Sequence, residues 1–115
     1  IGAKPGLALN PYTPLEEVEN LLSLPYLSMV LLMTVVPGRS GQKFIETVCP
    51  KIKILRDIIK ARKLKMGIEV DGGIDDKSIQ LVKDAGANIR VAGSFIYRAL
   101  PDEDELKRRI KILKS

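Results

Sequence analysis

The 115-residue sequence contains no histidine, one cysteine, three tyrosines and two phenylalanines. Without histidine it lacks the side chain that most often moves protons near neutral pH, which limits the chemistry the chain can complete alone. The lone Cys49 allows neither an intrachain disulfide nor a CxxC metal knuckle. It points to a reducing, cytoplasmic compartment, with the thiol packed as a small apolar group on a helix. The net charge is +5, but the few aromatics do not interleave with the basic residues, so no stacking platform for nucleic acid is visible. Long hydrophobic runs are missing as well. The longest, Met29 to Val36, is far short of the roughly 20 residues that cross a bilayer, and no basic segment leading into an apolar stretch opens the chain. These absences predict no nucleic-acid partner, no membrane partner and no export signal.

What is present reads as alternating strands and helices. An apolar content of 45% suits one globular domain over residues 1–115 rather than two. The apolar stretch at 4–9 ends in Asn10-Pro11, a strand and its turn. Thr13-Pro14-Leu15-Glu16 supplies a cap, a proline at the first helical position and a glutamate three after the cap. Leu15, Val18 and Leu22 then recur at helical spacing, predicting a helix. Met29 to Val36 is apolar almost throughout, as in a strand covered on both faces. Ile45, Val48, Ile52, Leu55 and Ile59 mark one face of a helix over 43–62, which Pro50 kinks or whose main part it opens. A strand at 67–70 follows, then a helix capped by Asp75 or Asp76, carrying Ile79, Val82 and Ala85 and closed by Gly86. The last strand is 89–92. A short turn at 95–99 leads to a final helix with Leu106, Ile110 and Leu113, whose Lys107, Arg108, Arg109, Lys111 and Lys114 read as a solvated face.

This strand-helix order, repeated four times with short links, predicts an α/β fold of parallel neighbours joined by right-handed crossovers. It is half the strand count of a closed (β/α)8 TIM barrel, which typically takes about 250 residues. A four-stranded (β/α)4 half-barrel leaves two open edges and one bare apolar face, so it requires a partner half. Three strands run into glycine turns: VLLMTVVPGRSGQ at 30–42, GIEVDGG at 67–73 and IRVAGS at 89–94. Ligands collect beyond the carboxyl ends of parallel strands, and glycine lets main-chain N–H groups approach an oxyanion closely. A phosphorylated ligand is predicted.

Four blocks carry a more specific signal: ALNPYTP at 8–14, MTVVPGRSGQKF at 33–44, EVDGGI at 69–74 and GAN..VAGS at 86–94. In this order and spacing the chain resembles the C-terminal half, strands five to eight, of the ribulose-phosphate 3-epimerase family. The resemblance implies an isomerase of the pentose phosphate pathway, a phosphorylated ketose substrate (ribulose 5-phosphate and xylulose 5-phosphate), and a divalent metal such as zinc, iron or manganese. Inverting a carbon next to a carbonyl needs proton removal on one face and return on the other, a task for two opposed carboxylates with a metal stabilising the enediolate. By the resemblance Asp71 is one of them, both metal ligand and proton donor. Read without it, Asp71 belongs to an Asp-Gly turn whose side chain bonds the following N–H groups. Gly38, Arg39, Ser40 and Gly41 match the family's substrate loop, Gly72 and Gly73 the turn after strand seven, and Gly93 with Ser94 the phosphate site. Met33 matches a methionine lining the metal site, or packs in the core. Gln42 starts a helix and Asn10 serves a turn.

The departures are as informative. The family loop reads PGFGGQ where this chain has PGRSGQ. Phe95 stands where alanine is common, beside the phosphate site, and Arg90 interrupts a strand and needs a partner or an exposed face. The family's other aspartate, two histidines and a serine lie in strands one to four and have no counterpart here. The chain alone is therefore expected to be inactive and to bind no metal firmly, its partner being the missing N-terminal half-barrel or a second copy. Two other readings stay open: a noncatalytic phosphate-binding half-barrel that self-associates, and a related epimerase acting on a hexulose phosphate.

Overall fold

Short apolar runs rich in valine, leucine and isoleucine, each bounded by glycine or proline, set the frame. A computed structural model describes residues 5–35 and 43–114. Four strands, β1 (Gly6–Leu9), β2 (Met29–Met33), β3 (Gly67–Asp71) and β4 (Ile89–Val91), form one sheet in the order β1-β2-β3-β4. Every pairing is parallel, with Leu9 beside Leu32, Leu32 beside Val70 and Val70 beside Arg90. This is the half-barrel arrangement of an α/β fold, as expected from the strand-helix alternation.

Helices cover one face. Helix α1 (Cys49–Ala61) links β2 to β3, and α2 (Ile79–Ala85) links β3 to β4. Against them pack Leu9, Val30, Leu32, Ile68 and Val70 from the strands, with Val48, Ile52, Leu55, Ile59, Ile79 and Val82 from the helical side. Each such fully buried side chain contributes about 1.5–3 kcal/mol. Pro50 sits in the first turn of α1, following a 3-10 turn at Glu46–Val48, so it opens the main helix rather than kinking it. Gly86 ends α2 at φ 114°, and the N–H of Ala87 returns to the carbonyl of Val82 at 3.0 Å, satisfying a terminal carbonyl.

Three expectations need correction. The helix predicted after Thr13 is instead a pair of 3-10 turns, Leu15–Glu17 and Glu19–Ser23. Pro14 is extended (φ −65°, ψ 142°) and no side chain caps the turn, while Leu15, Val18 and Leu22 are still buried. Secondly, β2 is not covered on both faces. Val30 and Leu32 are buried but Met29, Leu31 and Met33 are half-buried, because the helices lie on one side only. Val36 and the rest of 36–42 lie outside the described residues. Thirdly, 93–97 is a short helix, α3 (Gly93–Tyr97), preceding α4 (Glu103–Lys114).

Helix α4 buries no residue fully. It is attached by Ile112 and Leu113, which pack against the core, and by polar contacts: Arg109 donates to the Phe95 carbonyl at 2.6 Å and lies 4.9 Å from the centre of the Phe95 ring, while Arg90 donates to the Leu113 carbonyl at 3.3 Å. Hydrogen bonds from Arg108 and Arg109 pull the Glu105 carboxyl down to about 2. No helix among the described residues is long and apolar enough to cross a membrane.

Candidate active site

Parallel pairing brings all four carboxyl ends to one edge of the sheet. Met33, Asp71 and Val91 are in register there, at the last positions of β2, β3 and β4. Strand residues alternate between faces, so Asp71 shares the open face with Gly6, Ala8, Met29, Leu31, Met33, Gly67, Glu69, Ile89 and Val91. All of these are half-buried or exposed. Asp71 therefore stands at the rim of a face that, in a closed barrel, becomes the interior.

The local backbone holds Asp71 in place. Thr34, fully buried, takes its own N–H to the Asp71 carbonyl at 2.9 Å and its hydroxyl to the Gly72 carbonyl. The Thr34 carbonyl accepts from Ile45 at 2.8 Å, tying the end of β2 to the approach to α1. Gly72 and Gly73 have φ of 123° and 67°, and a Cβ on Gly73 would lie 2.8 Å from the Phe44 nitrogen. Only glycine fits that turn. Beyond it, the Ser78 hydroxyl donates to the Gly73 carbonyl at 2.7 Å, and the Asp75 carboxylate accepts from the N–H groups of Lys77 and Ser78 at 2.8 and 2.9 Å. Burial raises the pKa of Asp75, but these hydrogen bonds outweigh it and leave the carboxyl below its ordinary value. Asp75 thus ties the turn that leads into α2, whereas the helix itself starts after Ser78 with no side-chain cap, so neither Asp75 nor Asp76 is the cap expected of them.

The Asp71 carboxylate makes no hydrogen bond or ion pair among the described residues, so it is not spent on the following N–H groups as a simple Asp-Gly turn requires. Gly93 is exposed at the start of α3, two positions past the residue of β4 that pairs with Asp71. Ser94 lies on the same helix. Gly38, Arg39, Ser40, Gly41 and Gln42 lie outside the described residues. Asn10 accepts the N–H of Tyr12 at 3.0 Å, the turn role expected of it. Lys51 of α1 anchors the same corner through the carbonyls of Pro11 and Thr13.

Two departures from the family pattern have partners. The Phe95 ring is engaged by Arg109. Arg90 projects to the helix-covered side, giving two N–H groups to the carbonyls of Ala87 and Leu113, with only its Nε unpaired. A cavity of about 410 Å³ beside it, lined by Ala92, Ile96, Ile110, Leu113 and Lys114, lies behind the sheet rather than at the rim. Thr34 and Glu69 were not picked out from the sequence. Thr34 is hidden inside an apolar run, but the period of two in Ile68-Glu69-Val70-Asp71 signals that Glu69 shares a face with Asp71. Among the described residues no three histidine, cysteine, aspartate or glutamate side chains cluster as metal ligands. The described residues do not by themselves fit a metal.

A four-stranded parallel sheet with helices on one face, and beside the Gly72-Gly73 turn at its carboxyl edge a carboxylate without a partner among the described residues, defines the class: one half of a parallel α/β barrel. Sequence comparison supplies the family. The model of the ribulose-phosphate 3 epimerase family matches residues 1–97, and the chain belongs to that family. The ribulose-phosphate 3-epimerase of Bacillus subtilis is 47% identical over 97 residues, covering 84% of this chain and 44% of the relative. That of Methanocaldococcus jannaschii is 44% identical over 115 residues, covering 100% of this chain and 47% of its own length. That of Synechocystis is 46% identical over 99 residues, covering 86% and 42%. The chain thus spans about half the length of the curated relatives it matches.

Proposed function

We propose that residues 1–115 are the C-terminal half-barrel domain of a cytoplasmic ribulose-phosphate 3-epimerase, interconverting ribulose 5-phosphate and xylulose 5-phosphate once a second β/α half closes over the open face. The observation that carries this reading is the Asp71 carboxylate at the rim of that face, without a bonding partner among the described residues, in a chain whose family match spans residues 1–97.

Asp71 moves the proton on one side of the carbon next to the substrate carbonyl. It is suited to this because Thr34 and the Gly72-Gly73 turn fix its backbone while its carboxylate has no partner among the described residues. The opposite side needs a second acid or base, which the completing half brings. Gly72 and Gly73, the 38–41 loop with Arg39 and Ser40, and the Gly93-Ser94 start of α3 hold the phosphate through main-chain N–H groups and one positive charge. The family's reaction employs a divalent metal. Asp71 is this chain's ligand for it, and the remaining ligands come from the other half, since the described residues form no such set.

The test is reconstitution. The chain mixed with the N-terminal half of the Bacillus subtilis relative is assayed for metal-dependent epimerisation, with Asp71→Asn alongside. Activity that appears on mixing and disappears with the variant supports the reading. A folded, assembled but inactive complex overturns it.

A further inference from the structure

Across the middle of the open face, Ala8 pairs with Leu31, Leu31 with Glu69, and Glu69 with Ile89. Glu69 is thus a carboxylate set in an apolar row. Asp71 follows on the same strand and the same face, about 7 Å along. Both are half-buried, and neither carboxylate makes a hydrogen bond or ion pair among the described residues. No described position on this face is a lysine or arginine. Arg90, the neighbour in sequence of Ile89, is turned to the other side and bonded to the carbonyls of Ala87 and Leu113.

Resting on the reading of this face as a barrel interior, we propose that Glu69 selects what covers it: a β/α half presenting a lysine or arginine opposite Glu69 is admitted, and a second copy of this chain is rejected. Closing two copies about a twofold axis places two Glu69 and two Asp71 carboxylates inside one eight-stranded barrel. Such an interior is just wide enough to be filled by side chains. Four like charges, shielded from water and without a counter-charge from either described half, oppose that closure. A cation from a different sheet turns the same residue into an attractive contact and fixes the register of the two halves. The relatives have room for such a sheet, because this chain covers only 44% and 47% of the Bacillus and Methanocaldococcus proteins.

The test is sedimentation equilibrium of the 115-residue chain near neutral pH, for the wild type, Glu69→Gln, Glu69→Lys and an equimolar mixture of wild type with Glu69→Lys. The wild type is expected to be monomeric, Glu69→Gln to self-associate about tenfold more tightly, and the mixture to form a heterodimer about tenfold tighter than either component alone. Equal association of all four samples, monomeric or dimeric, overturns the proposal. Glu69→Gln keeps the side-chain shape, so if Glu69→Lys does not fold, the comparison of wild type with Glu69→Gln decides. These readings do not depend on catalysis. Absent epimerase activity with the association pattern intact defeats the functional reading alone, and restored activity with no effect of Glu69 defeats this proposal alone.

Discussion

On the helix-covered face of the sheet, Val30, Leu32, Ile68 and Val70 have no exposed surface, whereas one residue along the same strands Leu31, Met33, Glu69 and Asp71 remain half-buried. The alternation of a strand has divided two tasks between neighbouring positions. Even-numbered residues of β2 and β3 hold the chain together. Odd-numbered residues carry the carboxylates of the described strands, Glu69 and Asp71, and are left half-buried. Stability and chemistry should therefore respond to different substitutions one position apart.

The largest effect expected is on chemistry. Asp71→Asn in the reconstituted barrel should lower turnover about 10³-fold, with unfolding of the chain changed by no more than about 0.5 kcal/mol, measured by steady-state assay and urea titration. A comparable loss of stability would place Asp71 with the buried residues and break the division. Next comes the paired test of the two faces. Leu32→Ala should cost about 2–5 kcal/mol in chemical unfolding, as large-to-small changes in a closed core do. Leu31→Ala, its neighbour on the open face, should cost less than about 1 kcal/mol. Equal costs would mean that the open face is already filled.

A smaller effect is expected where the faces communicate. Thr34→Val keeps the shape but leaves the Gly72 carbonyl without its hydroxyl donor, costing about 1–3 kcal/mol. If Thr34 positions Asp71, the variant should also reduce turnover in the reconstituted barrel while leaving the Michaelis constant near wild type. The smallest concerns Asp75, whose folded pKa lies below its ordinary value of 3.8. Its stabilising contribution is fully present above the unfolded value and is lost as pH falls through the folded one. Acid titration of unfolding should show stability declining below pH 3.8, and Asp75→Asn should remove part of that slope.

The elements that were legible in the sequence are those with chemical punctuation. Pro50 marked the opening of α1, Gly86 the end of α2, and the glycines at 72 and 73 the turn beside Asp71. The stretch 15–23 was misread because Leu15, Val18 and Leu22 fit a 3-10 ribbon as well as an α-helix over so short a span. Its backbone bonds run from Val18 to Leu15 and from Leu21 to Val18, three residues back. The apolar run at 29–36 announced burial without saying what does the burying, and among the described residues the helices bury only Val30 and Leu32 of β2, on one face. Thr34 escaped notice because a buried hydroxyl inside such a run declares itself only through the carbonyl it reaches.

The central claim is that the open face is an unfilled barrel interior. Its most direct test is thiol labelling at Ala8→Cys, on that face, with and without the N-terminal half of the Bacillus subtilis relative, and the half-buried Cys49 as the internal control. Burial and the nearby Glu46 both raise the pKa of Cys49, so its background rate is slow. The account predicts that Ala8→Cys labels readily in the chain alone and is protected on mixing, while Cys49 is unchanged. Binding of the second half with no protection at position 8 would contradict it.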